Sequence, residues 1–284
     1  MTRSGIVIPT RARRSELLEL VETILADEAL GPATIAVVCN GENPDPKVID
    51  MLDALQQGIT ADAARTLEVV HIDAPSKPRA LNRGDQVIGA RDVSLYVDDD
   101  VRITSGQLSS VRDRLIELGD SAALVAPRRV VEPSCGWKER LFGSCVLRPS
   151  WVRSDVCVGG IFGVNRAGRE RWGSFPAIAC DDAYVFSRFA PEERLVEDGC
   201  SATHPYPSTW RGIFDQQVRW RLAIQELREQ GLIGPHRASI RTPGMVARAA
   251  LDPRLLMGMC LVATVRMSSR VLGRSSLSPG GVWD

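Results

Sequence analysis

The chain has 284 residues, 44% of them hydrophobic and 25% charged, with 35 lysines and arginines against 35 aspartates and glutamates. That length and balance fit one folded domain with an appendage and enough apolar side chains for a substantial core. Zero net charge argues against general nucleic-acid binding, which needs a positive excess to displace counterions from phosphates. In chain order, short apolar runs at 5–9, 34–38, 67–72, 93–97 and 122–125 predict strands. Between them, 13–29, 47–58, 79–90 and 105–118 predict helices. Leu17, Leu18, Val21, Ile24 and Leu25 are spaced for one face of the first, and Val48, Met51, Leu52 and Leu55 for one face of the second. Asn40-Gly41 reads as the turn that ends the second strand.

Alternating strands and helices joined by short connections predict an α/β fold, a mostly parallel Rossmann-like sheet covered on both faces. In such sheets ligands bind beyond the carboxyl ends of the strands. Pro9, Thr10, Asn40, Asp73 and the run Asp98-Asp99-Asp100 all follow strand ends and are expected to gather there. The second half is less regular. A strand is expected over 157–165 with Gly159-Gly160 inside it, a helix over 181–189 opening on Asp181-Asp182, a proline-containing loop over 203–208, and a helix over 210–230. Residues 255–265 are apolar apart from Gly258 and Thr264, but Arg266 and Arg270 cut the run short of the roughly 20 residues a membrane span needs. This segment is expected to be a packed helix, the alternative being an amphipathic helix lying on a membrane surface; the tail 275–284 is expected to be loose. Residues 1–126 form the first half of the domain, 127–232 the second half, and 233–284 a C-terminal helical extension.

Seven cysteines show no CxxC pair and no zinc-type cluster. The N-terminus has no apolar stretch of signal-peptide length. Free thiols in a reducing cytoplasm are expected, with Cys135, Cys145 and Cys157 as core or loop residues and at most peripheral membrane contact through the C-terminal helix.

Three adjacent carboxylates at the end of the strand VSLYV repel one another unless something offsets the charge. A divalent cation does so and also binds phosphate oxygens; in an extended segment Asp98 and Asp100 point to one side. The plainer alternative is a solvated acidic turn.

Six segments in order resemble the family 2 glycosyltransferases of the GT-A fold, over about the first 230 residues. GIVIPT is similar to the family's opening strand, SKPRALNRG to its basic Ala-Leu-Asn helix start, and LYVDDDV to its DXD strand. VGGIFGVNR is similar to its paired-glycine strand, CDDAYV to its acidic base motif, and QQVRW to its QxxRW pattern. The resemblance implies an inverting, single-displacement transfer of a sugar from a UDP-, GDP- or dTDP-sugar to a carbohydrate, lipid-linked or small-molecule hydroxyl, with Mn2+ or Mg2+ as cofactor.

By that resemblance Pro9, Thr10 and Arg11 line the nucleotide pocket. Asn40 stands where many members carry a base-binding aspartate, which leaves the nucleobase open. Asp73 could contribute to the pocket or cap a turn. Lys77, Arg79 and Asn82 open a helix whose N-terminus suits a pyrophosphate; ordinary capping and surface charge are the alternative. Asp98 is implied to bind the ribose side and Asp100 the metal, with Asp99 sharing either duty. Gly159 and Gly160 are implied to let backbone approach the donor sugar, although an edge-strand bulge explains such a pair as well. Asp182 is implied as the general base with Asp181 beside it; an N-cap accounts for one aspartate but not for two. Gln216, Arg219 and Trp220 share a helical face, Arg219 to hold the leaving diphosphate and Trp220 with Gln216 to meet the acceptor, unless the face simply packs. His204 is a candidate metal ligand or an exposed loop histidine; His71 and His236 receive no role. Trp137 and Trp151 could shape an acceptor groove or pack. Two rival functions remain, a sugar-phosphate nucleotidyltransferase and a non-catalytic module of the same fold. The run PTRARR lacks the glycines of a nucleotidyltransferase phosphate loop.

Overall fold

The computed structural model describes residues 2–59, 64–73, 75–131, 136–137, 160–204, 207, 209–233 and six positions between 256 and 268. Among the described residues seven strands form one sheet: β1 (Ser4–Thr10), β2 (Ala33–Cys39), β3 (Arg65–His71), β4 (Val93–Val97), β5 (Leu124–Val131), β6 (Ile161–Asn165) and β7 (Arg194–His204). Their spatial order is β3-β2-β1-β4-β6-β5-β7. β1 to β4 are parallel, β6 runs antiparallel to both β4 and β5, and β7 is parallel to β5. The mostly parallel α/β sheet expected from the sequence is the sheet observed.

β1, β4 and β6 are buried at every position, because helices cover both faces; such strands read as unbroken apolar runs rather than alternating ones. Ile6, Ile8, Ile35, Val37 and Leu95 face one layer, with α1 (Glu16–Ala26), α2 (Pro46–Gly58) and α4 (Gln107–Glu117) packed on them through Leu17, Val21, Leu52 and Val111. Val7, Val38 and Tyr96 face the other. There α3 (Lys77–Ile88), α6 (Asp181–Phe186) and α7 (Trp210–Glu229) bring Leu81, Val185 and Leu227. A four-residue helix, α5 (Arg166–Arg169), follows β6. α3 starts cleanly because the Ser76 hydroxyl accepts from the Arg79 N–H and Pro78 fills the first turn. It lies very close to β1. A Cβ on Gly84 would fall 2.3 Å from a Val7 methyl.

The sequence reading misses β7 and α5. β7 is hidden by Glu197-Asp198-Gly199 in its middle, where its register against β5 shifts: Pro127 pairs with Glu197, but Arg128 with Ser201. The loop expected at 203–208 begins later, since Thr203 and His204 are still in β7. β5 runs to Val131, beyond the expected 125. The first helix is shorter than expected, Glu16–Ala26, followed by a 3-10 turn at Glu28–Leu30. β6 begins at Ile161, later than the expected 157, and lies between β4 and β5, so Gly160 stands just before an interior strand and not in an edge strand. Gly159, Cys135, Cys145, Cys157, Trp151 and His236 lie outside the described residues. Cys39, Cys180 and Cys200 are free and buried. Leu256, Cys260, Ala263, Thr264, Met267 and Ser268 are helical. Among the described residues no helix is long and apolar enough to cross a membrane.

Candidate active site

A cavity of about 480 Å³ opens beyond the carboxyl ends of β1, β2 and β4, with α6 and α7 on its far side. β1 delivers Pro9 and Thr10. The Thr10 hydroxyl donates to Asp99 Oδ2 at 2.6 Å and accepts from the Ala12 N–H at 2.9 Å. Ala12 takes a left-handed conformation, φ 51°, which turns the chain so that Arg11, Arg13 and Arg14 line the cavity wall. Asn40, nearly buried at the end of β2, also lines it.

β4 feeds Asp98, Asp99 and Asp100 into the cavity, and each carboxylate has a different partner. Asp99 is held by Thr10. Asp98 Oδ1 lies 2.7 Å from Lys77 Nζ. Asp100 pairs with Arg14 at a long 3.9 Å. Burial, then repulsion from Asp98 and Asp99, pushes the Asp100 carboxyl up to about 6. Burial also raises Asp99, against the pull of the Thr10 hydrogen bond. The Asp98 N–H donates to the Gly160 carbonyl at 2.7 Å, and Gly160, φ 79°, lines the cavity as backbone without a side chain.

The opposite wall carries the second acidic pair. Asp181 is 5% exposed and pairs with Lys77 Nζ at 3.2 Å. Burial raises the Asp181 carboxyl, with Lys77 opposing. Burial works against the Lys77 charge as well, but Asp181 and Asp98 overrule it and hold the ammonium well above its ordinary value. Asp182 Oδ1 accepts from the Ala183 N–H at 2.7 Å and from the Cys180 thiol at 3.1 Å. Burial and the Asp182 charge raise the thiol strongly, so it stays protonated and donates. Asp182 Oδ2 has no hydrogen-bond partner among the described residues. Gln216, Arg219 and Trp220 all reach the cavity from one face of α7, and Gln216 Oε1 is buried there without a hydrogen-bond partner among the described residues.

Three expected ligands do not line the cavity. Asp73 is exposed past β3, and Arg79 is exposed on α3 with its N–H in the Ser76 cap. Asn82 is taken up by the backbone of Phe175: its Nδ2 donates to the Phe175 carbonyl at 2.9 Å, and its Oδ1 accepts the Phe175 N–H at 2.7 Å. Gly159 lies outside the described residues, as does the side chain of His204, whose backbone pairs with Val131 instead of forming a loop. Trp137 is 59% exposed. The sequence reading passed over Arg13, Arg14, Arg129 and Cys180, all of which line the cavity. The signal for the first two was the basic run after β1, weighed for its missing glycine and not for its charge.

Among the described residues the lining therefore holds six cations, Arg11, Arg13, Arg14, Lys77, Arg129 and Arg219, against five carboxylates. Among the described residues no three His, Cys, Asp or Glu side chains form a group able to hold a metal on their own.

No protein-family model and no characterised protein sequence matches the chain. Solved structures do. The mannosyltransferase PcManGT from Pyrobaculum calidifontis, in complex with GDP-Man and Mn2+, superimposes with TM-score 0.59 at 15% identity over 97% of this chain and 76% of its own. The chain has the fold of this mannosyltransferase. S. aureus TarS 1-349 gives 0.52 at 12% identity over 79% of this chain. GalNAc-T7 with UDP, GalNAc and Mn2+ gives 0.51 at 12% identity over 72%. The chain spans 65% of that TarS structure and 44% of the GalNAc-T7 chain.

Proposed function

We propose that this chain is an inverting, family 2-like glycosyltransferase that moves a sugar from a nucleoside-diphosphate sugar to an acceptor hydroxyl, with Asp182 as general base. One observation carries the reading. Two acidic motifs, contributed by β4 and by the start of α6, line a single cavity together with a ring of arginines. Structural neighbours that hold GDP-Man with Mn2+, or UDP with GalNAc and Mn2+, support it.

Asp182 Oδ2 takes the acceptor's hydroxyl proton while the acceptor oxygen bonds to the anomeric carbon. The bond from that carbon to the diphosphate breaks, and its electron pair leaves with the nucleoside diphosphate. The leaving group gains one negative charge, which Arg11, Arg13, Arg14 and Arg219 are placed to offset. Pro9, Thr10 and Asn40 enclose the nucleoside, and the Asn40 amide offers a donor and an acceptor to a base edge. Gly160 admits the donor sugar. Trp220 gives the acceptor an apolar face, and Gln216 Oε1 accepts from one of its hydroxyls.

The carboxylates fit a divalent cation only in part. Magnesium-type sites commonly take one or two carboxylates and complete their shell with water and phosphate oxygens. Asp100, whose carboxylate is the least engaged of the three, suits that role for Mn2+ or Mg2+, together with the donor's diphosphate. When bound, such a cation neutralises charge on the diphosphate.

The experiment is a thermal-shift panel of nucleotide sugars with Mn2+, followed by turnover of the stabilising donor by wild type and Asp182→Asn. Stabilisation by one donor and at least a 10²-fold loss of kcat in the variant, with nucleotide affinity kept, is expected. Pyrophosphate release from a nucleoside triphosphate plus a sugar phosphate would replace this reading with nucleotidyl transfer. Binding of no nucleotide would leave a non-catalytic module.

A further inference from the structure

We infer that α3 is the mount of the base motif: Lys77 and Asn82 position Asp181-Asp182 for catalysis and are not ligands of the diphosphate. The inference rests on the proposed role of Asp182. The segment that leads into α6 runs from Phe175 to Asp181, and α3 grips it at both ends. Asn82 makes two complementary hydrogen bonds with the Phe175 backbone, 2.9 and 2.7 Å, as a strand neighbour would. Lys77, five residues earlier, reaches Asp181 at 3.2 Å. Phe175 and Asp181 are both nearly buried, at 3% and 5% exposure.

The mount is stiff. Ala80, Leu81, Gly84 and Ile88 are buried on the sheet, and Gly84 leaves no room between α3 and Val7 of β1. The Lys77 ammonium is committed on its other side to Asp98, 2.7 Å away. One cation thus ties the end of β4 to the start of α6 and fixes the spacing between the two acidic motifs. A lysine free to receive a phosphate would lack two carboxylates within 3.2 Å. Asp182 follows Asp181 directly, and the Cys180 thiol and Ala183 N–H then orient its Oδ1. A buried, hydrogen-bonded ion pair of this kind supplies geometry more than net stability.

The test compares Lys77→Met, Lys77→Arg, Asn82→Ala and Lys77→Met/Asp181→Asn. For each, calorimetry measures nucleoside diphosphate affinity with Mn2+, and kinetics separate kcat from the donor KM. Positioning predicts nucleotide affinity within about threefold of wild type and kcat lowered about 10²-fold in Lys77→Met and about tenfold in Asn82→Ala. Lys77→Arg should recover a large part of kcat. Lys77→Met leaves Asp181 as an uncompensated buried charge and is the variant at risk of unfolding. The double variant removes that charge, so it should melt above Lys77→Met and bind nucleotide normally while kcat stays low. A tenfold or greater loss of nucleotide affinity with kcat preserved would make Lys77 a phosphate ligand and overturn the inference. Absence of nucleotide binding and turnover in the wild type would instead refute the proposed function. In that case the melting order of the single and double variants still decides whether Lys77 and Asp181 form the tie.

Discussion

At the scale of single residues, the three aspartates after β4 are chemically distinct although they are adjacent. Thr10 fixes Asp99, Lys77 takes Asp98, and Asp100 is left with repulsion and a cation 3.9 Å away. Its carboxyl, pushed up to about 6, is still ionised at neutral pH and gains a proton as pH falls through that value. Cation and nucleotide binding should therefore weaken below about pH 6, and titration of Mn2+ with nucleoside diphosphate at pH 5 and 7.5 checks this. The same shift makes a stability prediction of opposite sense. A carboxyl that binds its proton more tightly folded than unfolded costs stability as pH rises from about 4 through about 6. Asp100→Asn should raise the melting temperature of the unliganded protein at pH 7.5, on the order of a degree or more, and leave it unchanged at pH 4. Mn2+ alone should bind weakly, since no three ligating side chains converge among the described residues; micromolar affinity without nucleotide would contradict this. The acidic residues themselves were legible as residue types at strand ends. Their partners were not, because Thr10 and Lys77 are joined to them only by the folded chain, and nothing in the sequence CDD says that the Cys180 thiol bonds Asp182.

At the scale of elements, the parallel half was easy to read and the rest was not, for one physical reason. β1, β2 and β4 are buried on both faces and spell continuous apolar runs bounded by turns. β7 carries Glu197, Asp198 and Gly199 at its register shift and has no such pattern. α7 was legible through Gln216, Arg219 and Trp220, whose i, i+3, i+4 spacing put them on the face that reaches the cavity. The places of Arg79 and Asn82 in α3 were not legible, since a basic helix start suggests an anion site and nothing in SKPRALN reveals that Asn82 binds backbone from 93 residues away. α3 also supplies a test of packing. Replacing glycine inside a helix by alanine ordinarily stabilises by about 1 kcal/mol. Gly84→Ala should do the reverse, because the new methyl would sit 2.3 Å from Val7. A cost of about 1–3 kcal/mol, seen as a melting temperature several degrees lower, is expected.

At the scale of the whole molecule, the site sits between two halves of one sheet. The parallel strands bring Pro9, Thr10, Asn40 and the aspartates 98–100, and β5, the start of β6 and the helices beyond bring Arg129, Gly160, Asp182 and Trp220. Ligands that span the cavity should act as a brace across this seam. A nucleoside diphosphate with Mn2+ at a hundred times its Kd is expected to stabilise by about 2.7 kcal/mol, whereas Mn2+ or nucleotide alone should give much less. The reversal of β6 has a separate consequence. Because β6 runs against β5, the end of β5 and the start of β6 lie on the same rim, where Arg129 and Gly160 border the cavity. A substitution at Arg129 and one at Gly160 should therefore reshape the same wall of the cavity, although the two residues are far apart in sequence.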